Sequence, residues 1–279
     1  MIKAVQQFQL GSVLKNERAS REVLFKMKES GYDGIELCGF MIRKTPLFVK
    51  MLTRLAGMPV GNGGLDWKRL IYESELKVVS LHEDLERILT RTDDVVCDAK
   101  AFGTKNVVLT GVYNYNFSDA NSVERLIDSL NEAGDKLAQR GIRFLYHNHN
   151  VEFLKIDGVS VYDRLIESTN PDCVSFEFDS YWATEAGCNA LSVMRRLGNR
   201  MKLWHINDRG SKLKKKAITP IIKSDSMELG TGNMDLVPMV KLAKELGVEA
   251  VVLESHRNWV EHSPVRSFQV SAEFLNEYL

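Results

Sequence analysis

IRFLYHNHNVEF, residues 142–153, is an apolar strand that runs without a break into two histidines and then a glutamate. Three other apolar runs end in the same way: VSFEFD (174–179) in Asp179, KLWHIND (202–208) in His205 and Asp208, and AVVLES (250–255) in Glu254. Five of the six histidines, His82, His147, His149, His205 and His256, lie at or just past the end of such a run. A random scatter would place several of them in helices or long loops. Strands apolar on both faces belong to a sheet covered on both sides, which is the habit of parallel sheets. Polar side chains gathered at the ends of those strands therefore mark one mouth.

Outward from these runs, short β-rich segments alternate with longer helical patterns along the whole chain, the sign of βα units. Eight strands are predicted, at residues 4–10, 34–38, 77–81, 106–110, 142–146, 174–178, 201–205 and 250–253. Among the helices, residues 121–140 carry Val123, Leu126, Ile127, Leu130, Ala133, Leu137 and Ala138 at three-and-four spacing, closed by Gly141. Residues 17–30 end likewise at Gly31, and Ser263 followed by Pro264 reads as the N-cap and first position of the last helix. An open doubly wound sheet would carry a glycine-rich phosphate turn after its first strand, but the chain reads QFQLGSVLKN there. With candidate ligands spread over at least four strand ends, the expectation is a closed (β/α)8 TIM barrel, a single domain over 1–279.

Composition fits that frame. The 279 residues are 44% hydrophobic, with 37 basic against 37 acidic side chains. Such balance gives no field to draw the chain to nucleic acid or an anionic membrane, so a small-molecule partner is expected. Cys38, Cys97, Cys173 and Cys188 show no CxxC spacing, and the first residues lack a signal-peptide core, which reads as a reducing, cytoplasmic setting. No run approaches the roughly 18 apolar residues of a membrane span. Two long segments interrupt the rhythm. One, residues 41–67, is broken by Pro59, Gly61, Gly63 and Gly64 and is expected as a loop over the mouth; the other holds Lys212, Lys214, Lys215 and Lys216.

Glu152, Asp179, His205 and Glu254 form an oxygen-rich set with one imidazole, a mix that suits a divalent ion with open positions: manganese, magnesium, cobalt or zinc. A charge inside an apolar strand is costly unless paired or metal-bound, and Asp179 and Glu254 each follow near-continuous core sequence. His147 and His149 bracket Asn148, so strand alternation would aim both imidazoles to one side, for ligation or proton transfer. His82 ends the third strand. Trp182 is a candidate wall for a sugar face, Arg209 and Arg257 candidates to grip hydroxyls or phosphate, and Asp208 a candidate for a second ion or for orienting His205.

In order along the chain, GYDGIEL, LKVVSLH, YHNHNVEF, FEFDSYWATEAG, WHIND, ELGTGNMD and VVLES together resemble the xylose isomerase-like TIM barrel superfamily, the sugar phosphate isomerase and epimerase group. YHNHNVEF followed by DSYW resembles the branch that carries HNHxxEF. The resemblance implies one divalent ion, often manganese, and sugars or their keto derivatives as substrates. It places metal ligands at Asp179, His205 and Glu254. At strand five, epimerase relatives have a glutamate where this chain has His147; Glu152 is assigned as the ligand, with His147 as its rival. The implied activity is metal-dependent sugar isomerisation or epimerisation, with Glu254 and Glu152 or His147 moving the proton and His82, His149, Trp182, Arg209 and Arg257 contacting substrate. A lyase acting on a keto-sugar, 3-keto-glycoside or keto-inositol is the alternative, because His147 in place of a second glutamate suits one-sided proton transfer. A phosphodiesterase like endonuclease IV would need more histidines and a basic face. A non-catalytic sugar-binding barrel and a homo-oligomeric assembly remain open from sequence.

Overall fold

The computed structural model describes residues 1–44, 63–112, 114–212 and 220–279. Eight parallel strands close into a barrel: β1 (Ile2–Gln6), β2 (Gly34–Cys38), β3 (Lys77–Glu83), β4 (Asn106–Leu109), β5 (Arg143–His147), β6 (Val174–Asp179), β7 (Met201–Ile206) and β8 (Ala250–Leu253). Their spatial order is the chain order, with β8 returning to pair with β1. The (β/α)8 expectation is met. One strand departs from its sequence reading by more than two residues at an end: β1 ends at Gln6, and Gln7–Leu10 forms a 3₁₀ turn. Gln6 explains the stop, since its side chain accepts from the Phe8 amide and turns the backbone out of the ladder.

Helices form where their caps predicted. Ala120–Ala138 buries Val123, Leu126, Ile127, Leu130, Ala133 and Leu137 along one face, and Gly141 takes the left-handed backbone that lets the chain turn into β5. Ser263 accepts from the Arg266 amide and Pro264 opens Pro264–Tyr278, which also packs near the start of the chain through the Tyr32 hydroxyl, donated to the Phe268 carbonyl.

Two separate apolar cores result. The larger one lies between sheet and helices. The smaller one, inside the barrel, comprises Ala4, Val79, Val108, Leu145, Leu203, Ala250 and Val252 and plugs the lower lumen. Because side chains alternate along a strand, the next inward position on β1, β5, β7 and β8 holds Gln6, His147, His205 and Glu254. Most of the segment expected to cover the mouth lies in 45–62, and Lys214, Lys215 and Lys216 lie in 213–219, outside the described residues. Among the described residues, no helix is long and apolar enough to cross a membrane.

Candidate metal centre

Register brings the site together. In the parallel ladder His147 pairs with Glu177 and Asp179 with His205, so these four side chains enter the lumen as neighbours. Two groups of potential ligand atoms form around His205, which takes part in both. The outer group, at the carboxyl ends of the strands, is His147, Asp179, His205 and Glu254; the inner group is Glu36, His82, Glu177 and His205. In each, the donor atoms lie within 4.8 Å of one another.

His205 is fully buried, and its two nitrogens face different groups. Nδ1 lies 2.8 Å from Glu254 Oε2 and 3.9 Å from Asp179 Oδ2. Nε2 lies 2.6 Å from Glu36 Oε2 and 3.1 Å from Glu177 Oε2. Burial lowers the pKa of this imidazole, but Glu177, Glu36 and Glu254 outweigh it and hold the group well above its ordinary range. Burial raises Glu254, while His256 and His205 outweigh it and keep its carboxyl well below the usual range. Asp179 goes the other way: burial pushes it up to about 8 against the pull of His205. Its Oδ1 meanwhile accepts from the Trp182 amide and caps the following helix, leaving Oδ2 for the lumen.

The ends of β5 and β6 are clamped by Asn148, whose Oδ1 accepts from the Asp179 amide while Nδ2 donates to the Asp179 carbonyl. After His147 the strand ends, and His149 meets the His147 ring edge-on with centroids 4.9 Å apart. Burial, then the nearby His147, push His149 down to about 3, so it is neutral at ordinary pH. Trp182 stands between His149 and His256, at 6.1 and 5.9 Å between ring centroids, and Phe8 continues the arc beyond His256.

Five sequence assignments find other partners. Glu152 joins neither group: its carboxylate accepts from the Tyr146 hydroxyl at 2.8 Å and from the His149 amide at 2.9 Å, and burial raises it to about 6. His147, its rival, is the strand-five member of the outer group. The strand stops at His147, so the chain turns before Glu152 can reach the mouth. Asp208 neither faces the lumen groups nor touches His205; its carboxylate accepts from the amides of Arg209, Gly230, Gly232 and Met234 and shapes the ELGTGNMD loop. A Cβ on Gly232 would meet Asp208 Oδ1 at 2.3 Å, which accounts for the glycine there. Arg209 pairs with Glu185 at 2.6 Å and Arg257 with Asp225 at 2.8 Å on the rim. His82 lies deeper than a substrate contact, in the inner group, where burial lowers it but Glu36 and Glu177 push it up to about 10.

Glu36 and Glu177, both fully buried, were given no role by the sequence reading. The signal was present: each is a carboxylate inside an apolar strand, GIELC and VSFEFD, the same anomaly that singled out Asp179.

The outer group fits a divalent cation. Two imidazoles and two carboxylates form an N2O2 set of the kind zinc, manganese or cobalt accepts, and with Asp179 giving up its proton to ligation the two carboxylates would match a dication. His147 Nδ1 is moreover buried without a well-formed hydrogen bond, the nearest carboxylate oxygen, Glu177 Oε2, lying 3.4 Å away. Ligation at His205 Nδ1 would exchange its proton for the ion.

The sequence profile described as "Xylose isomerase-like TIM barrel" matches residues 24–278. Among curated proteins, an inosose dehydratase of Geobacillus thermodenitrificans is 35% identical over 83 residues, 30% of this chain and 27% of that protein. One from Clostridium beijerinckii is 23% identical over 190 residues, 66% of this chain and 58% of the relative. The chain thus spans less than two thirds of the length of these relatives. Among solved structures, a sugar phosphate isomerase/epimerase from Parabacteroides distasonis superposes with a TM-score of 0.77 at 20% identity, covering 98% of this chain and 93% of that one. IOLI protein, solved with a binding zinc atom, superposes with a TM-score of 0.67 at 17% identity, covering 100% and 99%. At these identities the structural likeness speaks to fold.

Proposed function

This chain belongs to the xylose isomerase-like TIM barrel family, and from that premise we propose that it is a divalent-metal-dependent lyase acting on a keto-sugar, a 3-keto-glycoside or a keto-inositol. One observation carries the choice. The outer group holds His147 at strand five, and Glu152, the only other candidate second base from sequence, is tied to Tyr146 and the His149 amide. A two-base epimerase scheme needs opposed bases on the two faces of the substrate; a single base suffices for elimination. Relatives named inosose dehydratase support the same direction.

A divalent ion held by His147, Asp179, His205 and Glu254 would supply Lewis-acid polarisation of a carbonyl and its neighbouring hydroxyl. Glu254, ionised and poised at the rim, removes the proton from the carbon next to the carbonyl. The electrons of that C–H bond form the new C=C bond, and the C–O bond at the next carbon breaks. The departing oxygen takes a proton from the rim imidazole of His256, with the neutral ring of His149 opposite it, and leaves as water or an alcohol. Trp182, between those imidazoles, packs on the apolar face of the ring.

Metal-loaded protein incubated in deuterated water with a keto-inositol, a 3-keto-glucoside and simple ketoses distinguishes the readings by NMR. Loss of water or alcohol with an unsaturated ketone as product is expected. Deuterium at an inverted or isomerised carbon without elimination would instead favour the isomerase or epimerase reading.

A further inference from the structure

We propose that Glu36 is a positioning residue for the metal centre: anchored by Gln6 and Ser80, it holds Nε2 of His205 so that Nδ1 is the atom presented to the ion, with His82 and Glu177 closing the ring behind it. The proposal rests on the reading of the outer group as a metal centre.

The lumen of a TIM barrel is ordinarily filled with branched apolar side chains. Here its middle level holds Glu36, His82, Glu177 and His205, none more than 4% exposed. Buried ion pairs of this kind are often no more stabilising than apolar packing of the same volume, so the fold alone does not call for them. Their geometry is directed. His205 Nε2 meets Glu36 Oε2 at 2.6 Å, closer than Glu177 Oε2 at 3.1 Å, and His82 Nε2 lies 3.1 and 2.9 Å from the same two oxygens.

Glu36 is itself held from both neighbouring strands. In the register Gln6 pairs with Glu36 and Glu36 with Ser80, so the three side chains enter the lumen side by side. Gln6 Nε2 donates to Glu36 Oε2 at 2.6 Å, and the Ser80 hydroxyl donates to Oε1. A histidine ligand has two nitrogens and a ring that can turn over; a carboxylate fixed on the far nitrogen sets both the tautomer and the orientation. Nothing in the outer group performs that task for Nε2, because Glu254 and Asp179 both face Nδ1.

The test uses the full chain, stripped of metal and titrated with Mn2+ by calorimetry, beside the melting temperature of each metal-free protein. Glu36→Gln is expected to raise the Mn2+ Kd of the folded protein about 10- to 100-fold, and also to lower the metal-free melting temperature, because it leaves His82 and His205 one buried carboxylate short. Ser80→Ala, which keeps the Glu36 carboxyl but loosens it, is expected to weaken binding by about 2- to 10-fold, the size of one hydrogen bond. Should Glu36→Gln fail to fold, Ser80→Ala decides. Wild-type affinity in these variants overturns the proposal while leaving the metal centre standing; wild-type protein that takes up no divalent ion overturns both.

Discussion

The lower and upper halves of the barrel lumen are equally dry and chemically opposite. Ala4, Leu145, Leu203 and Val252 are no more than 1% exposed; two residues further along the same strands come Gln6, His147, His205 and Glu254, none above 8%. The strands are continuous and the backbone ladder is the same, so the change is made by side chains alone. Below, burial of hydrocarbon supplies stability without direction. Above, each polar group needs a partner, and partners have geometry, so the upper level specifies an arrangement where the lower level fills space. Substitutions in the two halves should therefore fail in different ways.

The largest effect belongs to the upper half. Glu254→Gln removes the proposed base and one ligand while nearly preserving shape, and turnover of the keto substrate is expected to fall on the order of 10³-fold, measured at saturating metal. Its melting temperature should move far less than its activity. An active Glu254→Gln protein would mean that the outer group is a structural polar cluster and that the two halves differ in composition only.

The lower half should show the reverse. Leu145→Ala, at a fully buried position in the plug, is expected to cost about 3 kcal/mol in stability by lost burial and residual cavity, read by denaturant unfolding. Mn2+ affinity of the folded protein should stay near wild type, although His147 is only two residues away. A large loss of affinity would show that the plug also sets ligand positions.

How far this division was legible in the sequence depended on which rule each residue obeys. Strands read well because they are apolar runs of the right length, and the helix at Ala120–Ala138 was predicted within two residues at either end. Asp179, His205 and Glu254 were visible because each ends such a run. Glu152 was placed with them because it is the nearest acid to strand five; the sequence does not show that the ladder ends at His147 and that Tyr146 and the His149 amide capture the carboxylate. Glu36 and Glu177 were overlooked because they lie within strands, and their lumen position follows from register, a property of pairs of strands that no single segment carries.

Glu152 offers a smaller, separable effect. Its carboxyl is raised by burial from 4.5 to about 6 despite the bonds from Tyr146 and the backbone. Between those values the folded chain holds a proton that the unfolded chain has released, so the contribution is fully present below 4.5 and is lost as pH rises through 6. The gap corresponds to about 2 kcal/mol. In Glu152→Gln that dependence vanishes, and the stability difference between variant and wild type should drift by about this amount between pH 4 and pH 7. A constant difference would place Glu152 in contact with a charge that offsets its burial, and so return it toward the metal centre.

The rim should give the smallest change of all. Arg257 was expected from sequence to grip substrate, and the structure pairs it with Asp225 at 2.8 Å, its side chain 68% exposed. An ion pair that open to water is screened and contributes less than about 1 kcal/mol. Arg257→Ala should accordingly leave the unfolding midpoint almost unchanged, and kcat/KM for a neutral keto substrate within about fivefold of wild type, the kinetic equivalent of such a pair. If KM rises much further while kcat holds, the guanidinium leaves Asp225 to bind substrate. The boundary between the specified and the merely solvated parts of the barrel would then run outside the rim, not across the lumen.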